Sequence, residues 1–521
     1  MDHKAEYWSR LESTQRQWYP GFVRQLSSQI GAEQDEGRAA VITFQDGAKP
    51  STRVFTKSRD LRRYFTNSPA PASPDTPVSR RVFVLEGLPR RFIQLLGSEL
   101  RVPPSFFAVH WAHPGKFVGS LLNHTPRHYD NRSRFTLTFP KLHWAKIQGK
   151  PSDDVDPVYF MQSSINRQLT RINLFGEFED PLWSFEKMSF WSSREGESWD
   201  GKSDLSFVAC LGILYSHRLA LLLVDPPLGD FVMWTDDPVP RPVVHQIPEN
   251  ANPLGTDKDG VSQDGSWYAP FPADDAGQAP GMKSMFDDIV SLYPAKQRQS
   301  TADPVTSIDI CRQLVLSAWM ARLRVTEAEV IRKQYQMSVG LGLSTFNPRT
   351  WLDGSWTQPW TEREFGRLVR AKSALESTDM SLFYNMDALG IGGKSQIGEE
   401  WETEVWKSLR NALMTLKTRL DIMLEAYTQA VSVRESIVAN KQARQVGYLT
   451  SLATLFVPVS FIAAVFSMGG DYAAGQQRFY LFWAISLPIA VVALCSYLFG
   501  GCVLSLLRKC SGTREREKYP V

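Results

Sequence analysis

Cysteine and histidine are scarce in this chain, five and eight in 521 residues. Cys495 and Cys502 lie in an apolar run, Cys510 follows it, and Cys210 and Cys311 stand alone. Neither a disulfide framework nor a zinc cluster is spelled out. A nucleophile–base pair and a phosphate-binding glycine loop are also missing, so the chain reads as a non-enzyme with no resident cofactor. The net charge of +3 gives no basis for a nucleic-acid surface. The opening residues, MDHKAEYWSRLESTQRQWYP, lack the apolar core of a secretory signal. Everything ahead of the first membrane-length run is therefore expected to stay in the cytosol. Asn123-His-Thr and Asn131-Arg-Ser fit the glycosylation pattern, and on that side of the membrane both are expected to be unmodified.

Charge is missing altogether from two stretches near the C-terminus. These are QVGYLTSLATLFVPVSFIAAVFSMGG at 445–470 and FYLFWAISLPIAVVALCSYLFGGCVLSLL at 479–507. Each exceeds the roughly 20 apolar residues that carry a helix across a bilayer core. The turn between them, DYAAGQQR, is too short to hold a domain, so the two runs are expected to form one membrane hairpin. Arg434, Lys441 and Arg444 precede the pair, and Arg508, Lys509, Arg514, Arg516 and Lys518 follow it, whereas the turn carries only Asp471 and Arg478. This bias puts both termini in the cytoplasm and the turn outside. The basic tail at 508–521 also suits anionic lipid. Phe479, Tyr480, Phe482 and Trp483 suit an interfacial belt and a lipid-facing second span.

Ahead of these runs the chain divides by composition. Residues 1–34 read as a helix or arm. Residues 35–235 read as an α/β domain, with strands expected at Ala39–Phe44, Val82–Leu85, Phe135–Phe139, Leu169–Phe175, Lys187–Trp191 and Leu219–Val224. Helices are expected to open at Pro89 and after Pro103. Residues 236–303 are rich enough in Pro, Gly and Asp to be a flexible linker or insertion. Residues 304–398 turn helical. Ile308, Leu314, Val315, Trp319 and Leu323 share one face, and Thr361-x-x-Glu364 is a capping box for a second helix that GIGGK ends.

His110, His113, His124 and His128, spaced H-x2-H-x10-H-x3-H, fall near metal-ligand spacing. No cysteine joins them, and Pro114 and Pro126 interrupt any helix, so they read as exposed loop histidines. Asp153, Asp154, Asp156, Asp274 and Asp275 read as solvated loop charge.

From Glu399 neither Pro nor Gly intervenes until Gly447, already inside the first apolar run. Val405, Leu409, Leu413, Leu416, Leu420, Leu424, Tyr427 and Val431 recur at coiled-coil spacing. One helix over 399–468, on the order of 100 Å long, is thus expected to carry the chain into the bilayer. Two helices broken at the membrane surface remain the alternative. Residues 469–478 are then the outer loop and 479–507 the second span. The seam continues in the first span as Val446, Leu449, Ala453, Val457, Ser460, Ala464 and Ser467. Two helices enclose no water path, so transport needs several copies around an axis. The stripe either lines such a pore or is a plain packing interface.

A long cytosolic helix, then TSLATLFVPVSFIAAVFSMGG, a short loop and a second span resemble the C-terminus of the CorA family of divalent-cation transporters. Pro458 and the pattern Leu449-Thr-x-x-Ala-Thr-x-Phe-x-Pro are the nearest matches. RRVFVLEGLPRRFIQLLGSELRVPPSFFAVHW, MSFWSSREGESW and LLLVDPPLG resemble the divergent CorA-like proteins of filamentous fungi. The resemblance implies a homopentamer with a cytosolic α/β funnel, stalk helices continuing as inner pore helices, and an outer ring of second spans. It puts Val446, Leu449, Val457 and Ser460 at pore-facing positions. In the family the inner helix ends in Gly-Met-Asn, whose Asn ring meets the hydrated ion; here Ser467, Met468 and Gly469 stand there, and only the Met is kept. Mg2+ sheds water reluctantly and is selected by polar groups around its hydration shell. A ring of glycines supplies only carbonyls, and Asp471 alone concentrates cations at the mouth.

The expected architecture is an α+β membrane protein with an N-terminal cytosolic α/β funnel, a very long stalk helix and a two-helix transmembrane hairpin. Its expected partners are the lipid bilayer, further copies of itself and divalent cations, Mg2+ or a related ion such as Zn2+. The alternative is a CorA-like membrane-anchored binding or scaffold protein that does not conduct, with 236–303 as its docking segment.

Overall fold

The computed structural model describes residues 3–29, 35–44, 49–67, 80–114, 133–143, 145–148, 159–161, 163–175, 178–192, 219–234, 240–245, 284–295, 305–340, 362–391, 397–467 and 477–492. The chain forms two compact units, Met1–Leu424 and Glu425–Val521.

The first unit is built on a mixed sheet. β1 (Glu36–Phe44) pairs antiparallel with β2 (Ser51–Lys57) and β3 (Arg80–Glu86). β3 runs parallel to β9 (Leu219–Val224), whose LALLLV is buried along nearly its whole length, as a strand covered on both faces requires. One face of this sheet carries Val41, Phe83, Leu85, Leu221 and Leu223 into a core shared with helices α1 (His3–Gln15), α2 (Pro20–Ser28), α4 (Arg90–Leu100) and α5 (Pro104–Trp111). α3 (Ser58–Asn67) connects β2 towards β3 and contributes Leu61 to the same core. Pro89 caps α4, and Pro104 opens α5 at the position where its missing N–H is not needed. The opening segment is thus docked, with Leu11, Phe22 and Leu26 buried.

Beyond β9 lies β8 (Phe178–Ser192), the longest strand. One edge of β8 pairs with β4 (Arg134–His143); the other pairs with β9 at its C-terminal end and with β7 (Gln168–Ile172) at its start. From β7 the path continues through β6 (Tyr159–Met161), β10 (Phe231–Trp234) and β11 (Arg241–His245) to β5 (Ala145–Ile147). β5 starts just after β4 ends, so the far end of this path lies beside β8. The core of this region is Ala145, Ile147, Tyr159, Met161, Leu169, Leu182, Leu228, Val232 and Val243.

Among the described residues, 236–303 include β11 and helix α6 (Met285–Ala295). Phe286, Ile289 and Tyr293 recur at helical spacing and are buried, which offsets the cost of ordering a short segment. Ser284 and Asp287 cap the helix reciprocally, and Arg38 pairs with both Asp287 and Glu86.

A helical layer follows. α7 (Asp309–Gly340) and α8 (Glu362–Ala388) both pack on β4 and both hydrogen-bond to Thr138. Trp319 Nε1 donates to the Thr138 carbonyl at 2.8 Å. Asn385 accepts from the Thr138 N–H at 2.9 Å and donates to its carbonyl at 2.7 Å, standing in for a strand partner on this edge. The capping residue Thr361 lies outside the described residues.

α9 (Glu400–Phe466) is one uninterrupted helix. Within the first unit Glu402 makes a bidentate pair with Arg312 of α7, at 3.1 and 3.2 Å, while Asp379 of α8 receives Arg410 and Lys417. Leu409, Leu413, Leu416, Leu420 and Tyr427 of the expected seam are buried. In the second unit the rest of α9 is followed by a shorter apolar helix, α10 (Tyr480–Val492).

Candidate functional site

Among the described residues one helix, Glu400–Val465, contains a segment long and apolar enough to cross a membrane. Past Tyr427 the described side chains of this helix stop being buried, Ile462 excepted. From Gln445 on, where charge is missing, the exposed side chains are mostly apolar, a surface that water does not favour. Val446, Leu449, Ala453, Val457, Ser460, Ala464 and Ser467 are all exposed in the single chain. So are Tyr448, Leu452, Phe456 and Phe461 on other faces, and single-chain burial does not set the stripe apart. In α10, Ser486 is buried while Trp483, Leu487 and Val492 are exposed.

Oxygen atoms are available along the stripe. The Ser467 hydroxyl donates to the Ala464 carbonyl at 2.9 Å, which leaves its lone pairs free to accept or to coordinate. Pro458 lies inside the helix and has no N–H, so the carbonyl of Thr454, one turn earlier, loses its usual backbone partner. Met468, Gly469 and Asp471 lie outside the described residues.

The first unit contains a buried ionic knot that sequence reading did not bring together. Asp225, directly after β9, accepts from Arg167 Nε at 2.5 Å and Nη2 at 2.8 Å, and from the Lys187 backbone N–H at 2.9 Å. Arg167 also donates to the carbonyls of His110, Trp111 and Ala112, and Lys187 Nζ to those of Val109 and Ala112. Arg167 and Lys187 thereby satisfy the C-terminal carbonyls of α5, and burial beside Arg167 holds the Lys187 pKa well below its usual value. Burial alone would raise the Asp225 carboxyl, but Arg167 and His110 outweigh it and hold it well below the usual range.

His110 is wholly buried, not an exposed loop histidine, because α5 packs it against β8. Its Nδ1 meets Ser189 Oγ at 2.9 Å, and Ser189 in turn meets Thr136. Nε2 lies 3.2 Å from Asp225, off the hydrogen-bond direction. Burial pushes its pKa down to about 4, so it is neutral at physiological pH. The polar atoms of this knot are largely spent on one another, which suits anchoring α5 to the sheet rather than chemistry on a substrate. Its sequence signal was faint: Glu186 and Lys187 interrupt an apolar strand, and Asp225 ends an apolar run.

Among the described residues no group of three or more His, Cys, Asp or Glu is placed to hold a metal ion. His124, His128 and the five loop aspartates lie outside them. Cys311 is buried and free, its thiol pushed up to about 12 by burial.

No curated protein matches the chain. Two solved structures align over most of it at 10% identity. The CorA magnesium transporter from Methanocaldococcus jannaschii has a TM-score of 0.35, covering 88% of this chain and 96% of its own. The full-length CmaX protein has a TM-score of 0.37, covering 89% of this chain and 97% of its own. Residues 360–499, which contain α8, α9, α10 and the whole small-residue stripe, match the family described as CorA-like Mg2+ transporter protein. Over those residues the chain carries the domain of the CorA-like family.

Proposed function

We propose that the chain is a CorA-like metal-ion channel or transporter for divalent cations, Mg2+ or a related ion. Several copies, five by the family's arrangement, bring the first spans around one axis. Val446, Leu449 and Val457 form apolar constrictions that gate by dewetting; Ser460, Ser467 and the freed Thr454 carbonyl offer oxygens; Met468, Gly469 and Asp471 shape the outer mouth. The second run, 479–507, returns through the bilayer as the outer ring, with both termini in the cytoplasm. Residues 35–235 serve as the cytosolic α/β domain and 304–398 as its helical extension, on a division of the chain proposed with the rest. The observation that supports this reading is the coincidence of the family match over residues 360–499 with an uninterrupted helix that holds a membrane-length apolar segment.

One feature favours a second reading. Ser467-Met468-Gly469 replaces the Gly-Met-Asn signature, which suits a CorA-like protein that anchors or binds without conducting. Reconstitution into proteoliposomes with Mg2+, Zn2+, Co2+ and Ni2+ separates the two. Flux of any of these ions supports the channel; no flux of any supports the anchor. Ser460→Trp adds a control, since a bulky ring on the axis blocks an open pore and leaves an anchor unaffected.

A further inference from the structure

The β4–β8 ribbon holds an unusual carboxyl group. Glu186 is completely buried, and neither of its oxygens has a hydrogen-bond partner. In this register Phe139 faces Glu186, Lys141 faces Ser184 and His143 faces Leu182, so all of these share one face of the ribbon. Lys141 Nζ stands 3.6 Å from Oε2, too far for a hydrogen bond, and is itself unpartnered. His143 Nε2 stands 3.7 Å from Oε1 but is engaged by Ser184 Oγ at 2.7 Å. A buried carboxylate is ordinarily paired and hydrogen-bonded, because the bare charge in a dry interior costs several kcal/mol or more. A group with this surrounding is far easier to bury as the neutral acid.

We propose that Glu186, flanked by Lys141 and His143, is a proton-binding site that couples the β4–β8 ribbon to pH. The step is a simple association: one solvent proton forms an O–H bond with a Glu186 oxygen, and the carboxylate becomes a neutral acid. Lys141, whose side chain is 18% exposed, marks the way to solvent. Burial pushes the Glu186 pKa up to about 7, against an ordinary 4.5. Lys141 of β4 and Arg167, just ahead of β7, pull it down, and Asp225 after β9 pushes it up. Burial holds His143 well below 6.5 with help from Lys141 and His245 of β11, so it stays neutral in this range. Tyr159 of β6 lies in the hydrophobic core that Leu182 of β8 joins, with its hydroxyl unpartnered.

The folded chain therefore binds this proton more tightly than the unfolded chain. The associated stability is fully present below about pH 4.5 and is lost as pH rises through about 7. β4 also carries Thr138, which Trp319 and Asn385 grip, so a displacement of this strand reaches the helical layer. None of this depends on whether the chain conducts ions.

Infrared titration of the full chain in detergent tests it. The C=O stretch of a protonated carboxylic acid is expected to fade as pH rises through about 7, and to be missing in Glu186→Gln. Lys141→Met removes the nearest cation and is expected to move the midpoint up by roughly one unit. A wild-type spectrum with no such band between roughly pH 5.5 and 8.5 overturns the proposal, as does a band that persists in Glu186→Gln. Should that variant fail to fold, Lys141→Met decides: an upward midpoint supports the site, and an unmoved or lowered one refutes it.

Discussion

Replacing Arg167 with methionine keeps the aliphatic stem but removes the guanidinium that holds the buried knot together. Asp225 then loses both side-chain bonds to its main counterion, and the carbonyls of His110, Trp111 and Ala112 lose their shared donor. Removing one partner of a buried ion pair costs about 3–5 kcal/mol, and each orphaned buried carbonyl adds about 1–3 kcal/mol before relaxation. The Ala112 carbonyl keeps Lys187 as a donor, so a loss of roughly 5 kcal/mol is expected. Native-state hydrogen exchange reads it at the β8–β9 ladder, where Met188 faces Val224 and Phe190 faces Leu222. Protection there should fall by roughly 1,000-fold or more. Asp225→Asn should cost nearly as much, because it leaves Arg167 charged and buried. The double change Arg167→Met with Asp225→Leu should cost less than the two single changes combined by about 2 kcal/mol or more. A pH effect accompanies it. The wild-type Asp225 contribution is complete above its ordinary value of 3.8 and is lost only as pH falls well below it. Without Arg167 the carboxyl titrates higher and the loss begins at higher pH. A drop in protection below about tenfold for Arg167→Met, or strictly additive costs in the double variant, would refute the reasoning.

Two further changes probe how the elements are held. Asn385→Ala removes both bonds to the Thr138 backbone and leaves a strand N–H unpaired in the interior; exchange at β4 should quicken by an amount equivalent to about 2–3 kcal/mol, and a change near zero would mean that these bonds do not hold α8 to the strand. Gly97→Ala places a methyl group inside the Tyr7 ring, whose hydroxyl is hydrogen-bonded to the Val102 carbonyl; α1 should loosen by about 1–3 kcal/mol, seen as faster proteolysis of the N-terminal helices, and Tyr7→Ala in the same chain should restore resistance.

What the sequence determined by itself is whatever depends on neighbours along the chain. The absence of charge over 445–470, the seam from Val405 to Val431 and the lack of Pro or Gly between Glu399 and Gly447 pointed to one long helix. Local chemistry likewise placed Pro89 and Pro104 at helix starts and LALLLV in a covered strand. The short strands β5, β6 and β10 carry too few residues to show a period, and become strands only because partners from distant segments satisfy their backbones. Composition made 236–303 look flexible because Pro and Gly dominate its middle, yet a few apolar side chains sufficed once a sheet was there to receive them. The tertiary structure alone decided the fate of the charges. His110, Arg167, Lys187 and Asp225 are spread over more than a hundred positions, and only the crossing of α5, β8 and β9 brings them within hydrogen-bond distance. The same crossing leaves Glu186 buried beside a lysine it does not quite reach. Desolvation is a property of the assembled interior, so no reading of the chain in one dimension contains it.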